Sequence, residues 1–162
     1  MLPLKIYGRR PLTRLEAALY GGIAAIFIAV MAHQLLEVME LAERSAMQAT
    51  VNQVNAAVNT RLAYEVMRGE VRNVPAWARR SPFELAKMSP SNFLGEVEST
   101  KPGALERGSW AFDPSRAELI YLPRLSTGLH TTDPEGALRF RSIVSPNGMG
   151  YMLVPASPYR WE

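Results

Sequence analysis

Residues 17–36, AALYGGIAAIFIAVMAHQLL, are twenty consecutive positions without Asp, Glu, Lys or Arg. A helix needs ~20 predominantly apolar residues to cross a hydrocarbon core of ~30 Å, so this run predicts a membrane span. A secretory signal peptide has a shorter apolar region followed by a small-residue cleavage site. Here the run passes without a turn signal into a second helical pattern, which favours a retained span. Met47, Val51, Val54, Val58, Leu62 and Val66 recur every three or four positions, the stripe of an amphipathic helix. Gln48, Asn52, Asn55 and Asn59 lie largely off that stripe. No Pro occurs between Pro11 and Pro75, and no Gly between Gly22 and Gly69. One helix is therefore expected from Thr13 to Arg68, ~84 Å long at ~1.5 Å per residue. Gly69 supplies its stop, with Arg68 in the last turn. The stripe is too short and too irregular for sustained heptads. It reads as the spine of a small head.

Loop-forming residues dominate after Gly69. Ser81-Pro82-Phe83-Glu84 has the form of a helix start, with Ser81 as N-cap and Glu84 closing a capping box. A short helix from Pro82 to Met88 is expected. Residues 89–108, SPSNFLGEVESTKPGALERG, read as loop, with Phe93 and Leu94 tucked onto the core. SWAFD and AELIYLP, separated by Pro114-Ser115-Arg116, predict a hairpin. LRFRSIV alternates, with Leu138, Phe140 and Ser142 on one face and Arg139 and Arg141 on the other. GYMLVPA gives a last strand, ended by Pro155 and Pro158. The pattern is α+β: a long N-terminal helix, transmembrane and then amphipathic, packed on a small C-terminal antiparallel sheet. It divides the chain into a basic leader (1–12), a transmembrane half-helix (13–36), an amphipathic half-helix (37–69), a loop with a short helix (70–108) and a sheet head (109–162).

Composition narrows the function classes. Of 162 residues, 48% are hydrophobic, which predicts a packed core rather than disorder. With no Cys there is no disulfide framework and no thiolate chemistry. Lys5, Arg9, Arg10 and Arg14 face one acid, Glu16, within residues 1–16; the fourteen basic and fourteen acidic residues that remain cancel, so the whole net +3 lies beside the apolar run. There it acts as a topology signal. Basic residues precede the span and Glu37, Glu40 and Glu43 follow it, which places the N-terminus in the cytoplasm and the head outside, in the periplasm of a Gram-negative cell. The expected contact is membrane lipid. Nucleic acid is not expected, because binding needs positive charge clustered on one face.

The constellations of common catalytic chemistry are missing too. There are two His, His33 and His130, far apart in the chain, and no Gly-rich phosphate loop. Glu96 and Glu98 read as solvated charge, and Asp133-Pro134-Glu135-Gly136 as a turn. One Asp and one Glu fall short of the six to eight oxygens that calcium takes. No enzyme activity, cofactor or metal is expected.

The order of parts resembles type IV pilins and type II secretion pseudopilins. It runs from a basic leader through an apolar helix with an early Glu and an amphipathic extension to a small antiparallel sheet. Leu12-Thr13-Arg14-Leu15-Glu16 lines up with the mature start of that family, and SWAFD with ELIYLP looks like the strand pair of some minor pilin-like heads. The resemblance implies a structural or assembly component of a type II secretion or type IV pilus-like apparatus at the inner membrane. Its partners would be other pilin-like subunits or an inner-membrane secretion platform. Glu16 would then pair with the N-terminal amine of a neighbouring subunit, freed by cleavage before Leu12. Thr13 to Glu16 also reads as a capping box that is complete without a partner. A membrane-anchored periplasmic binding or scaffold module that never enters a filament is the alternative.

The processing site at Arg10, Pro11 and Leu12 departs from the family pattern. Pro11 stands where the peptidase expects Gly. It fixes φ near −65°, removes an amide donor and restricts Arg10 before it; Gly would leave the backbone free. Arg14 also replaces an apolar residue. The chain is expected to remain uncut. Intact mass of the protein from native membranes checks this: a species beginning at Leu12 overturns it, and cleavage of a Pro11→Gly variant alone supports it.

Overall fold

A computed structural model describes residues 13–98, 105–145 and 150–162. Two compact units result, Met1–Met39 and Glu40–Glu162.

One long helix, α1 (Arg14–Met67), runs through both. Its start is the reciprocal box that the sequence predicts. The Thr13 amide and hydroxyl donate to Glu16 Oε2 at 2.8 and 2.9 Å, and the Glu16 amide donates to Thr13 Oγ1 at 3.3 Å. At the far end Gly69 adopts φ +75° and its amide donates to the Val66 carbonyl at 3.0 Å, a left-handed stop that suits Gly. Every residue from Thr13 to Met39 is exposed, including Ile23, Ile26, Phe27 and Ile28. The helix is long and apolar enough to cross a membrane, and none of its apolar window is covered by protein.

The second unit is an α+β head. A 3-10 helix (Val71–Arg79) and α2 (Pro82–Ala86) follow α1. Five strands then build one sheet: β1 (Phe93–Glu96), β2 (Ser109–Asp113), β3 (Glu118–Leu122), β5 (Leu138–Val144) and β6 (Tyr151–Pro155), in the order β1-β2-β3-β5-β6. A separate pair joins β4 (Leu129–Thr131) to β7 (Tyr159–Trp161). The β2–β3 hairpin is in the expected place, with Trp110 opposite Tyr121 and Phe112 opposite Leu119. Asp113 Oδ1 holds its turn by accepting from the Ser115 amide and hydroxyl at 2.9 and 2.6 Å.

The stripe behaves as the periodicity predicts. Met47, Val51, Val54, Val58 and Leu62 are buried, and Val66 is partly buried against the same core. They meet Trp110, Leu119, Tyr121, Leu138, Phe140, Tyr151 and Leu153 of the sheet in one cluster. Leu138, Phe140 and Ser142 do share the buried face.

Four expectations change. The sheet is mixed, because β1 pairs parallel with β2 from a segment that reads as loop. Glycine and proline around FLGE hide a strand of four residues that only tertiary pairing sustains. Phe93 packs on the core, ringed edge-on by Phe83 at 4.9 Å, but Leu94 points out. Helix α2 stops at Ala86, two residues early, because Lys87 turns left-handed at φ 53°. Finally, Ser81 precedes α2 as expected but its hydroxyl caps nothing, and Glu84 pairs with Arg80 instead of closing a box.

Val54 and Val58 have no exposed surface. Val54→Asp or Val58→Asp places an unpaired carboxylate between helix and sheet and should cost several kcal/mol, on the order of 3–5. Asn55→Asp keeps the acceptor oxygen that the Leu153 amide uses at 2.8 Å and should cost ~1 kcal/mol or less. Thermal unfolding of the full chain in detergent separates them; equal losses would remove the assigned face.

Candidate functional site

The stripe of α1 continues at its N-terminal side into two carboxylates. Glu40 and Glu43 precede Met47 at the same three- and four-residue spacing, so they reach the same face of the helix. Glu43 Oε1 accepts from the Tyr121 hydroxyl and the Arg124 amide, each at 2.7 Å, and its Oε2 accepts from the Leu125 amide at 3.1 Å. Glu40 Oε1 accepts from the Gly128 amide and from Trp161 Nε1, both at 2.9 Å. Two helical carboxylates thus tie down the segment from Arg124 to Gly128 and the last strand. Burial first, and then the Glu43 carboxylate, push the Tyr121 hydroxyl far above its ordinary value. It stays protonated and keeps donating. Gly128 is required by close approach: a Cβ there would sit 2.6 Å from the Glu162 carbonyl oxygen.

Two asparagines close the other side of the same contact. β6 is an edge strand, and an edge exposes unpaired amides and carbonyls. Asn59 Oδ1 accepts from the Tyr151 amide at 3.0 Å and its Nδ2 donates to the Tyr151 carbonyl at 2.8 Å. Asn55 Oδ1 accepts from the Leu153 amide. The helix therefore stands in for a sixth strand.

A third polar group lies on the sheet face away from the stripe. Arg139 Nε donates to Asp133 Oδ2 at 2.5 Å, and Arg141 Nη2 lies 3.2 Å from Glu118 Oε1. Burial alone would raise the Asp133 carboxyl, but the Arg139 hydrogen bond and charge and the Glu135 and Ala137 amides outweigh it. The carboxylate stays ionised and pins the expected turn, whose Gly136 amide donates to the Asp133 carbonyl at 3.1 Å. The arrangement is a clamp, with its carboxylates already engaged by arginines and amides.

The predicted site residues fall as follows. Arg10, Pro11 and Leu12 lie outside the described residues. Glu16 is engaged locally with Thr13. His33 is exposed and lies 3.5 Å from Glu37, while His130 sits on β4 opposite Arg160. Among the described residues no three His, Cys, Asp or Glu side chains gather in a way that could hold a metal. The helix–sheet anchors were not legible as such. The signal was the spacing of Glu40 and Glu43 in phase with the stripe, and of Asn55 and Asn59 one turn apart beside it. No family model, curated protein or solved structure matches the chain.

Glu43→Leu strands two backbone donors and the Tyr121 hydroxyl and should cost ~3 kcal/mol; Glu43→Gln, which turns a donor toward the Leu125 amide, should cost ~1–2 kcal/mol. Glu37→Gln is the exposed control and should be near neutral. Thermal unfolding of the full chain reads the order, and a wild-type melt for Glu43→Leu would remove the anchor.

Proposed function

We propose that this chain is a pilin-like, single-pass membrane protein that serves as a structural or assembly component of a type II secretion or type IV pilus-like apparatus. One observation carries the reading. A single helix offers an uncovered apolar half, Thr13 to Met39, and then becomes the buried spine of a small sheet head. That division of labour suits a protein whose function is to hold a head beside a membrane and present it to partner subunits. The N-terminus lies in the cytoplasm and the head in the periplasm, on the charge asymmetry about the span.

A second reading has its own support. Glu16 spends its capping oxygen on its own Thr13, and Pro11 and Arg14 depart from the processing pattern. An anchored scaffold or binding module that stays outside the filament fits those residues.

A reporter active only outside the cytoplasm, fused after Glu162, should be active. Affinity purification of the full chain from native membranes should bring down an inner-membrane secretion platform or pilin-like subunits. A reporter active only when fused at the N-terminus overturns the orientation. Purification of the chain alone, or with a single unrelated periplasmic protein, favours the scaffold reading.

A further inference from the structure

A groove of about 520 Å³ lies on the head between the last turns of α1 and the end of α2, lined among others by Ala57, Arg61, Tyr64, Arg68, Leu85 and Lys87. Arg68 follows Ala57 by eleven positions, a rise of ~16 Å along the helix. An extended segment of about five residues covers that length at ~3.3 Å each. The lining is apolar where it meets the core: Leu85 is buried, and Ala57 and Ala86 are half-buried. Tyr64 is 59% exposed, with the Arg68 guanidinium carbon 5.6 Å from its ring centre. Tyr and Arg are the side chains that protein interfaces favour at their anchoring points. Arg61 is fixed in advance. Its Nη1 donates to the Leu85 carbonyl at 3.1 Å, and its guanidinium carbon lies 5.2 Å from the Trp77 ring centre. A side chain already held in place loses little freedom when a partner arrives.

The charges around the groove nearly balance. Glu65 lies 3.9 Å from Arg61 and Glu70 3.1 Å from Arg68, and Glu84 pairs with Arg80. These three acids keep their negative charge and offset the three arginines. Lys87 is the cation left over. Its ammonium has no hydrogen-bond or ion-pair partner among the described residues. Its backbone is left-handed at φ 53°, a conformation that Gly takes freely and a residue with a Cβ takes at a cost. One excess charge is too little to hold a bare anion in water. Beside an apolar lining and an exposed tyrosine, it suits a peptide that brings a carboxylate and an apolar side chain together. We propose that this groove docks a partner protein through a short extended acidic segment, with a carboxylate on Lys87 and apolar side chains against Leu85 and Tyr64. The surface belongs to the head alone, so the proposal goes beyond the pilin-like reading and does not depend on it.

The test titrates the full chain, in a nonionic detergent, into a fluorescent end-blocked five-residue peptide of alternating leucine and aspartate, and reads anisotropy. The same peptide with asparagine for aspartate is the neutral control. A charge pair at contact in water changes affinity about fivefold. The acidic peptide should therefore bind about fivefold more tightly than the neutral one, and the preference should shrink as salt is raised. Lys87→Gln should bring the two peptides to equal affinity. Lys87→Gly should do the same with no loss of melting temperature, because Gly takes the left-handed backbone freely. Tyr64→Ala should weaken both peptides about tenfold at unchanged melting temperature. Equal binding of the two peptides by wild type, binding of neither, or a preference that survives Lys87→Gln overturns the proposal. So does inorganic phosphate that displaces the acidic peptide at equal concentration, since the occupant is then a small anion. A dimer of the chain in native mass spectrometry that Lys87→Gln splits also overturns it, because the occupant is then a second copy.

Discussion

The sheet of the head buries its face against α1, and the segments that follow α1 add Val74, Trp77, Phe83 and Leu85 to the same cluster. Trp110, Leu119, Tyr121, Leu138, Phe140, Tyr151 and Leu153 share that cluster with Met47, Val51, Val54, Val58 and Leu62 of the helix. Burial of an aliphatic side chain is worth ~1.5–3 kcal/mol, so five of them supply a large part of what a head this size can set against conformational entropy. The same helix covers the β6 edge with Asn55 and Asn59. Sheet face and sheet edge therefore depend on one contact, and α2, with Phe83 against Phe93 and Trp110, closes the far end.

Hydrophobic contact alone would leave the helix free to slide. The stripe repeats at three or four residues, so a shift of about one turn returns Val to places vacated by Val. The polar contacts do not tolerate that shift. Glu43 meets the Tyr121 hydroxyl and two consecutive amides, and Glu40 meets Gly128 and Trp161, only in one register. Moving the helix by a turn would strand those donors and the amides of Tyr151 and Leu153. A stranded buried donor costs ~1–3 kcal/mol, so five or more outweigh any alternative packing. The apolar stripe gives the attraction and the flanking Glu and Asn residues give the position.

That division explains what could be read from the sequence. The helix, its Thr13–Glu16 box, its Gly69 stop, the buried stripe and four of the five sheet strands follow from local signals: periodicity, capping chemistry and turn residues. The parts that escaped are those set by distant partners. FLGE becomes a strand only because β2 lies beside it. LHT and YRW pair with each other across the chain. Ser81 has the right neighbours for a cap, yet its hydroxyl makes no bond. Glu40 and Glu43 read only as the acidic side of a topology signal, because nothing local shows that Tyr121 and Trp161 come to meet them. The candidate site was less legible than the fold for this reason, since each bond from Glu40, Glu43, Asn55 and Asn59 to the sheet and its loops spans 78 or more residues.

Carboxylates along α1 find their donors in two different ways. Lipid can cover Ile23 or Phe27 but offers no donor to a carboxylate. Glu40 and Glu43, beyond the apolar run, draw their donors from the head. Glu16, at its start, takes donors from its own cap instead. Both of those bonds end on Oε2, and Oε1 has no partner among the described residues. The capping box and a pairing between subunits are therefore compatible at this position: one oxygen starts the helix, and the other remains open to a cationic group brought by a neighbour. If Glu16 pairs with a neighbouring subunit, as the proposed function has it, the supply of that cation decides the pairing. Arg14 stands beside it in the same chain, and a free amine before Leu12 exists only if the bond after Pro11 is cut.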